Sequence, residues 1–202
     1  MGNNCIINTD LLLAWGATFH NYEKGHVLFC EGDTAHFYYQ LEEGKVKMVN
    51  CNEEGKDFIQ GIFEAGESFG EPPLFDEGVY PAGAVAETDV VIIRLRKENF
   101  LKLLKDNFDI HFCFTQTLAK RLRFKSMMVK EISSYGPSHR ILSLLKEYKK
   151  QHGFVNGSRY KVDLTRQQIA DMTGLRVETV IRSIRELHDK GKVLIEKGKV
   201  FC

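Results

Sequence analysis

Near the C-terminus, charged and polar side chains gather at the starts of two short periodic segments joined by Thr173-Gly174-Leu175. Arg182 lies four residues after Glu178, so a helix would present a carboxylate and a guanidinium one turn apart. A guanidinium can donate two hydrogen bonds to guanine, and a carboxylate can accept one from cytosine. This pair at the start of a helix is suited to reading base edges in DNA.

The two segments carry the signals of short helices joined by a tight turn. Thr165 can cap the first segment, and Gln168 three residues later completes a capping box. Gly174 supplies the backbone freedom that a sharp turn needs. The second segment spaces its apolar side chains by four and three residues on one face: Val180, Ile184 and Leu187. The pattern predicts a helix-turn-helix; the alternative is a solvated amphipathic hairpin.

We expect the groups at both helix starts to contact DNA, because free N–H groups and the helix dipole favour phosphate there. Val177 and Ile181 are apolar and could meet thymine methyl groups. Arg176 offers the DNA backbone a charge in place of a good helix cap. The full predicted set is Thr165, Arg166, Gln167, Arg176, Val177, Glu178, Thr179, Ile181 and Arg182.

The charge of the chain is divided unevenly. Residues 137–202 hold 14 Lys and Arg against 7 Asp and Glu, a net of +7. Residues 1–136 hold 14 basic and 20 acidic residues, a net of −6, so the overall +1 hides the division. A basic C-terminal region that holds a helix-turn-helix suits phosphate attraction, whereas the acidic region is not expected to touch DNA.

Length and composition narrow the class of protein. A chain of 202 residues, 43% of them hydrophobic, can fold as one large domain or two small ones. We expect no signal peptide, because MGNNCIINTD (1–10) has no basic stretch followed by an apolar run, and no membrane span, because no apolar run approaches about 18 residues. No Ser/His/Asp set, HxxxH pair or P-loop occurs, so an enzyme is the weaker interpretation.

The cysteines are scattered along the sequence: Cys5, Cys30, Cys51, Cys113 and Cys202. Their odd number and wide spacing argue against a disulfide framework and favour the reducing cytoplasm. An iron–sulfur cluster needs clustered thiolates, so we expect neither a cluster nor another metal site. His111 and Cys113 could be axial haem ligands, but ordinary packing is the favoured alternative, and no cofactor is identified.

From Ala17 to Arg96, short apolar or alternating runs are separated by glycine-containing turns. The predicted strands are 26–30, 37–41, 45–51, 57–63, 83–86 and 90–95, with Arg94 marking the end of the last. Short strands with nearly even glycine punctuation favour an antiparallel sandwich or barrel. Before them, residues 9–15 are predicted to form a short helix capped by Thr9 or Asp10.

A long helix is predicted from Phe108 to about Ile132, after a shorter one over 97–105. Its 4–3–4–3 spacing gives a seam of Leu118, Leu122, Lys125, Val129 and Ile132, which Phe114 extends by one turn. Such a seam packs on its own domain or on a second copy of the chain. We predict a dimer interface formed by Phe114, Leu118, Leu122, Val129 and Ile132. Lys125 is awkward in a dry core, which suggests an edge or a specific polar partner.

The chain is predicted to bend at 134–137, a Ser-Tyr-Gly-Pro breaker where the charge changes sign. An amphipathic helix follows over 139–150, with Ile141, Leu144, Leu145 and Tyr148 facing inward. Small strands are predicted at 160–162, 193–196 and 199–201, with Lys197-Gly198 turning the last pair. The expected fold class is α+β: an N-terminal antiparallel β-roll, a long dimerisation helix and a C-terminal winged helix-turn-helix.

This order of parts resembles the Crp/Fnr family of bacterial transcription regulators over about residues 17–202. The similarity is carried by GHVLFCEGD (25–33), LEEGKV (41–46), GESFGE (66–71), LTRQQIA (164–170) and VETVIR (177–182). The resemblance implies a cyclic-nucleotide-binding-like sensor domain at 1–107, a dimerisation helix and hinge at 108–136, and a DNA-binding domain at 137–202.

The resemblance also implies partners: double-stranded DNA, a second copy of the chain, RNA polymerase and a small-molecule effector. The Val-Glu-x-x-x-Arg run of 177–182 implies a TTGA-type half-site in an inverted repeat. The family often has Ser where Ile181 stands, which leaves the outer base pairs open. A binding module with a vestigial helix-turn-helix is an alternative, against which the retained Glu178 and Arg182 weigh.

Family members that bind cyclic AMP carry the cassette G-E-x-x-G-E, followed later by R-S-A. Residues 66–71 match the first half, but Tyr80-Pro81-Ala82 stands where R-S-A is expected. The tyrosine offers one hydroxyl and the proline no N–H, whereas an arginine would bind phosphate with two hydrogen bonds. The implied pocket is lined by Phe69, Gly70, Glu71, Tyr80, Pro81 and Ala82, with Lys125 and Ser126 approaching from the long helix.

These replacements argue against cyclic AMP as the effector. We expect a pocket that takes a neutral or aromatic small molecule, or one that is filled by its own side chains. The alternative is a cyclic-nucleotide-responsive regulator with an altered cassette, in which Lys125 pairs with the ligand and with Glu71. The iron–sulfur sensors of the family use several cysteines near the N-terminus, where this chain has only Cys5.

Overall fold

A computed structural model describes residues 6–53, 55, 57–154 and 159–202. The chain divides into two compact units between Leu118 and Ala119. The long helix α4 contributes to both units, and each unit is described here by itself. Cys5, on which part of the iron–sulfur reasoning rested, lies outside the described residues.

The N-terminal unit contains short strands and helices. Its helices are α1 (Thr9–Ala14), α2 (Pro72–Asp76), α3 (Lys97–Asp106) and the first part of α4 (Phe108–Ser134). Its strands are β1 (Thr18–Tyr22), β2 (Val27–Phe29), β3 (Phe37–Glu43), β4 (Lys45–Cys51), β5 (Asp57–Glu64), β6 (Ser68–Phe69), β7 (Gly83–Ala86) and β8 (Val90–Arg96).

The described strands form antiparallel sheets. One has the order β1-β8-β3-β6 and the other has the order β2-β7-β4-β5. Apolar side chains fill the space between the two sheets. Those on β7 are small: Ala84 and Ala86 are both buried. The architecture confirms the antiparallel fold expected from the alternating runs.

Several details differ from the prediction. The side chain of Asn8, rather than Thr9 or Asp10, caps α1 by accepting a hydrogen bond from Leu11 N at 3.1 Å. The strands β1 and β6 and the helix α2 were not predicted. Strand β8 continues past Arg94 to Arg96, because Leu95 is fully buried opposite Tyr38.

Aromatic rings pack the sheet against the helices of this unit. The Tyr38 ring stacks on the Phe100 ring with centroids 4.3 Å apart, and Phe114 meets both rings edge-on. Phe114 is only 1% exposed. The prediction that Phe114 extends the dimer seam is therefore wrong for this structure, because its side chain belongs to the core of its own unit.

The exposed apolar side chains of α4 follow a different stripe. Phe108, Phe112, Leu122 and Val129 are between 54% and 74% exposed. They fall at 4–3 spacing with three further exposed residues, Thr115, Ala119 and Ser126. Two of the predicted seam residues, Leu122 and Val129, lie on this stripe, whereas Leu118 and Ile132 are half-buried.

The C-terminal unit is helical with a small hairpin. It contains the rest of α4, then α5 (Pro137–Gln151), α6 (Arg166–Thr173), α7 (Val177–Asp189), β9 (Leu194–Glu196) and β10 (Lys199–Phe201). Its core includes the predicted inward face of α5: Ile141, Leu144, Leu145 and Tyr148. Lys197 and Gly198 both have positive φ, which suits a two-residue hairpin turn between β9 and β10.

The predicted strand at 160–162 is reduced to a single bridge between Lys161 and Phe201. Backbone hydrogen bonds still join Tyr160 to Cys202 in both directions at 3.0 Å. In the parts of the chain that the structure describes, no helix combines the length and apolarity that crossing a membrane requires.

Candidate DNA-binding surface and sensor core

The start of α6 is capped as the sequence predicts. Gln168 N donates to Thr165 Oγ1 at 3.1 Å, and Thr165 N donates to Gln168 Oε1 at 2.6 Å. Gly174 ends the helix with φ +67°, and its N–H donates to Ala170 O. This reciprocal capping fixes where the backbone turns between α6 and α7.

Helix α7 buries one face and exposes the other. Val180, Ile184 and Leu187 are at most 5% exposed. Glu178 and Arg182 stand on the exposed side, together with Ile181 at 36% exposure. Packing therefore fixes which side of α7 is presented to a ligand.

The remaining predicted contacts lie around these two helix starts. Arg176 is exposed and begins α7 without a capping side chain, whereas Val177 and Thr179 are half-buried. Thr165 and Gln167 are exposed beside the start of α6. The structure brings these side chains to the ends of two adjacent helices, which is the arrangement expected for contacts with one DNA backbone.

Two side chains of α6 are held by neighbours that the sequence did not indicate. Gln167 Nε2 donates to Asp171 Oδ1 at 2.8 Å, and Asp171 is 8% exposed. Arg166 Nη2 donates to Gly198 O at 3.3 Å, which ties α6 to the hairpin turn. Burial lowers the pKa of Arg166.

Glu186 joins α7 to the start of α5. Its carboxylate accepts a hydrogen bond from Ser138 Oγ at 2.8 Å. It also forms an ion pair with Lys190 Nζ at 2.5 Å. Hydrogen bonds from Lys190 and then Ser138 lower the pKa of Glu186, and the charge of Arg182 contributes less. Arg182 consequently lies between carboxylates one turn before it and one turn after it.

Side chains at the end of α4 and the start of α5 contact one another across the link between the two helices. His139 Nδ1 lies 2.6 Å from Glu131 Oε2, and Glu131 is 7% exposed. The His139 ring stacks on the Tyr135 ring with centroids 4.2 Å apart. Arg140 Nε donates to Tyr135 O at 2.7 Å. These contacts define the geometry of the predicted hinge at 134–137.

In the N-terminal unit, the predicted pocket residues surround a stack of aromatic rings. The Tyr80 and Phe29 rings are nearly parallel, with centroids 3.7 Å apart. Phe69 lies 6.2 Å from Phe29 and 5.4 Å from Tyr39, between ring centroids. Tyr80, Phe69 and the nearby Ala82 are at most 2% exposed.

Gly70 lets the two stacked rings approach the backbone. It has φ +72°, and a Cβ there would lie 2.9 Å from Phe29 Cζ and 3.2 Å from Tyr80 Cε1. A side chain at this position would clash with the Phe29 ring and crowd the Tyr80 ring, and the positive φ also favours glycine. The space beside Gly70 is thus occupied by the Phe29 and Tyr80 rings.

Two side chains with polar groups, Tyr80 and Glu71, are buried in this aromatic core. Burial raises the pKa of Tyr80, with smaller contributions from Tyr39, Asp33 and Glu71. The Tyr80 hydroxyl meets no hydrogen-bond partner of acceptable geometry among the described residues, although Tyr39 lies close enough to affect its pKa. Glu71 is only 2% exposed.

Pro81 differs from its buried neighbours Tyr80 and Ala82. It is exposed, and its carbonyl accepts a hydrogen bond from Asn50 Nδ2 at 2.7 Å. Lys125 and Ser126 are exposed residues of α4 in the other unit, and their approach to the pocket stays a prediction.

Comparison with known proteins identifies both units. Residues 19–107 match the family described as the cyclic nucleotide-binding domain, and residues 139–201 match the Crp-like helix-turn-helix domain. The cAMP-activated global transcriptional regulator CRP of Haemophilus influenzae is 30% identical over 200 residues, covering 94% of this chain and 89% of the relative. The CRP-like cAMP-activated global transcriptional regulator of Mycobacterium tuberculosis is 25% identical over 183 residues, covering 90% and 82%.

Solved structures share the fold. A CooA mutant from Carboxydothermus hydrogenoformans superposes with a TM-score of 0.80 at 17% identity, covering 96% of this chain and 85% of that one. The c-di-GMP responsive global regulator CLP of Xanthomonas campestris gives a TM-score of 0.75 at 20% identity, covering 95% and 96%. From its sequence similarity and both domain matches, the chain belongs to the Crp/Fnr family of DNA-binding transcription regulators.

Proposed function

We propose that this chain is a dimeric regulator that reads a TTGA-type inverted repeat through α7. The observation that carries the proposal is the exposed pair Glu178 and Arg182, one turn apart on a helix whose other face is buried. Arg182 would donate to guanine O6 and N7, and Glu178 would accept from cytosine N4 while orienting Arg182. The net charge of +7 over residues 137–202 would attract the phosphates.

Phosphate contacts would hold the reading helix in register. The exposed groups Thr165, Gln167 and Arg176 are proposed to bind the DNA backbone, with Thr179 beside them. Arg166 would add charge from a position braced by Gly198 O. Val177 and Ile181 would meet thymine methyl groups at the edges of the half-site.

Dimerisation is proposed because one small helix-turn-helix on a single half-site would bind weakly, and two-fold symmetry matches an inverted repeat. The exposed apolar stripe of α4 through Leu122 and Val129 supports this role. The proposed division is a sensor domain at 1–107, a dimerisation helix and hinge at 108–136 and a DNA-binding domain at 137–202. RNA polymerase is proposed as a further partner.

The sensor domain is proposed to respond to an effector other than cyclic AMP, or to act without one. The stack of Tyr80 on Phe29 supports this, because it places aromatic rings beside Gly70, whereas the resemblance implies an arginine at position 80 for phosphate binding. A cyclic-nucleotide response is the second candidate. It is favoured by the retained Gly66–Glu71 segment and by the sequence relatives, which are named as cAMP-activated.

Fluorescence anisotropy with short duplexes tests the DNA-binding proposal. The duplexes would carry TTGA-type half-sites centred about 34 Å apart, the same half-sites shifted by half a helical turn, or one half-site alone. We expect tight binding to the first duplex only, with one dimer per duplex by light scattering. Equal binding to all three duplexes would contradict the proposal.

Calorimetry with cyclic AMP and cyclic GMP separates the two sensor candidates, and we expect no heat of binding for either nucleotide. Micromolar binding, accompanied by tighter DNA binding, would instead establish the second candidate. Native mass spectrometry of freshly purified protein adds a direct check for a retained small molecule.

A further inference from the structure

Asp171 is a buried acidic residue next to one of the proposed phosphate contacts. It lies on α6, four residues after Gln167, and is only 8% exposed. Gln167 is exposed, and its Nε2 atom donates a hydrogen bond to Asp171 Oδ1 at 2.8 Å. Because residues four apart are neighbours on a helix surface, this bond joins a surface side chain to a buried one.

No positive charge of the described residues compensates Asp171. No Lys, Arg or His among them forms an ion pair with its carboxylate, and the Gln167 amide is its one hydrogen-bond donor there. Asp171 also lies near the C-terminal end of α6, where the helix dipole disfavours a negative charge. Its burial and its position on the helix both cost free energy.

Helix stability does not account for a carboxylate at this position. A Gln–Asp pair one turn apart stabilises a helix only weakly. An apolar side chain of similar size would fill the same space without burying a charge, and such replacements are often neutral or stabilising. The effect of Asp171 on Gln167 is what an apolar side chain could not supply.

The carboxylate fixes the orientation of the Gln167 amide. An ionised carboxylate accepts hydrogen bonds and donates none, so it binds the NH2 group of the amide and turns the carbonyl away. That NH2 group has two hydrogens, and Asp171 binds one of them. The Gln167 amide makes no other hydrogen bond to a described residue, so its second N–H is available to an acceptor outside the chain.

We propose that Asp171 is a positioning residue for DNA binding, which holds the Gln167 side chain so that its second N–H meets one phosphate oxygen. Asp171 is buried and would not touch the DNA itself. A glutamine side chain that is ordered before the DNA arrives loses less conformational freedom on binding. The inference rests on the proposed DNA-binding function and identifies what holds one of its phosphate contacts in place.

A double-mutant cycle, measured by fluorescence anisotropy on the TTGA-type inverted repeat, tests this role. Asp171→Asn keeps an oxygen that can accept from Gln167, whereas Asp171→Leu fills the space without one, and the two variants carry the same charge. Gln167→Ala should weaken binding about tenfold in the wild type and in Asp171→Asn, but less than about twofold in Asp171→Leu. Asp171→Leu alone should bind about tenfold more weakly than Asp171→Asn.

Arg166→Ala is the control for the cycle, because Arg166 is held by Gly198 O and not by Asp171. It should weaken binding by the same factor in all three backgrounds. A second measurement needs no variant. In the NMR spectrum of the wild-type protein, the duplex should shift the Gln167 Nε2 proton that faces the phosphate and leave the proton bound to Asp171 in place.

The proposal is overturned if Gln167→Ala costs as much in Asp171→Leu as in the wild type, if Asp171→Leu binds like Asp171→Asn, or if the duplex displaces the bond to Asp171. Wild-type binding that Gln167→Ala does not weaken would overturn the role of Asp171 and leave the DNA-binding proposal intact. A wild-type protein that does not bind the repeat would contradict the DNA-binding proposal itself, so the two failures are distinguishable.

Discussion

The Tyr80 ring lies 3.7 Å from the Phe29 ring, between centroids, and a Cβ at Gly70 would lie 2.9 Å from Phe29 Cζ and 3.2 Å from Tyr80 Cε1. Tyr80 occupies the sequence position at which cyclic-AMP-binding members of the family are expected to carry an arginine. If the resemblance holds at this position, the replacement exchanges a phosphate-binding cation for a ring that packs the core. Selectivity for the effector would therefore depend on the Tyr80 and Phe29 rings that occupy this region, as well as on the residues that line it.

Shortening Tyr80 should show that its ring, and not its hydroxyl, stabilises the sensor domain. Tyr80→Ala would leave a ring-sized cavity and should lower the free energy of unfolding by about 3 kcal/mol. Tyr80→Phe should cost less than about 1 kcal/mol, because the hydroxyl makes no hydrogen bond of good geometry among the described residues, although it influences the pKa of the nearby Tyr39. Urea denaturation of both variants makes the comparison; equal losses would mean that the hydroxyl is bonded after all.

Helix α4 shows why spacing in the sequence does not by itself single out a dimer seam. The helix carries more than one 4–3 stripe, and each is compatible with a buried seam. Phe114 is buried because Tyr38 and Phe100 pack against its ring, and those contacts join distant parts of the chain. Periodicity cannot decide which stripe faces a partner when tertiary contacts choose between them.

Charge placed on the exposed stripe should dissociate the dimer without unfolding the chain. Leu122 is 68% exposed, so Leu122→Asp removes little core packing but would bury a carboxylate in a dimer. Light scattering should then show monomers with unchanged circular dichroism. Lys130→Asp, at an exposed position beside the stripe, serves as the control and should remain dimeric; a dimer that survives Leu122→Asp would place the interface elsewhere.

Removing Arg166 should weaken DNA binding without changing sequence preference. Its guanidinium is braced by Gly198 O rather than by a carboxylate, so its charge stays available to a phosphate. Arg166→Ala should make the dependence of log K on log salt shallower by about one unit. Salt titrations by anisotropy measure this slope, with Lys102→Ala in the acidic N-terminal unit as control. If the slope does not change, Arg166 does not contact phosphate.

The parts predicted well from sequence are those set by neighbours along the chain. The capping box at Thr165 and Gln168 and the turn at Gly174 depend on residues a few positions apart, and the structure has all of them. The two-residue strand Ser68–Phe69 is too short to have a pattern, and the alternate polar residues of Thr18–Tyr22 give no apolar face. The inward position of Arg94 depends on its register with Tyr39, which no local signal records.

The pH dependence of stability should carry a contribution from His20. Burial, followed by the charge of Arg94, lowers the pKa of His20 below its ordinary value near 6.5. The unfolded chain therefore binds a proton first as the pH falls, so stability is full above that ordinary value and declines below it. NMR titration should place the His20 pKa below the ordinary value and Arg94→Met should raise it; a wild-type pKa at or above 6.5 would contradict the assignment.

The most direct test of the central claim measures whether Arg182 reads one base pair. Wild-type protein and Arg182→Ala would be titrated by anisotropy on an inverted repeat and on the same duplex with the half-site G·C pairs replaced. The wild type should lose roughly 1–3 kcal/mol of binding free energy on the replaced duplex, whereas Arg182→Ala should bind both duplexes alike. Arg185→Ala, which removes another exposed charge of α7, should keep the preference. If Arg182→Ala binds every duplex more weakly by the same factor and still prefers the G·C pairs, Arg182 does not read the base and the account is wrong.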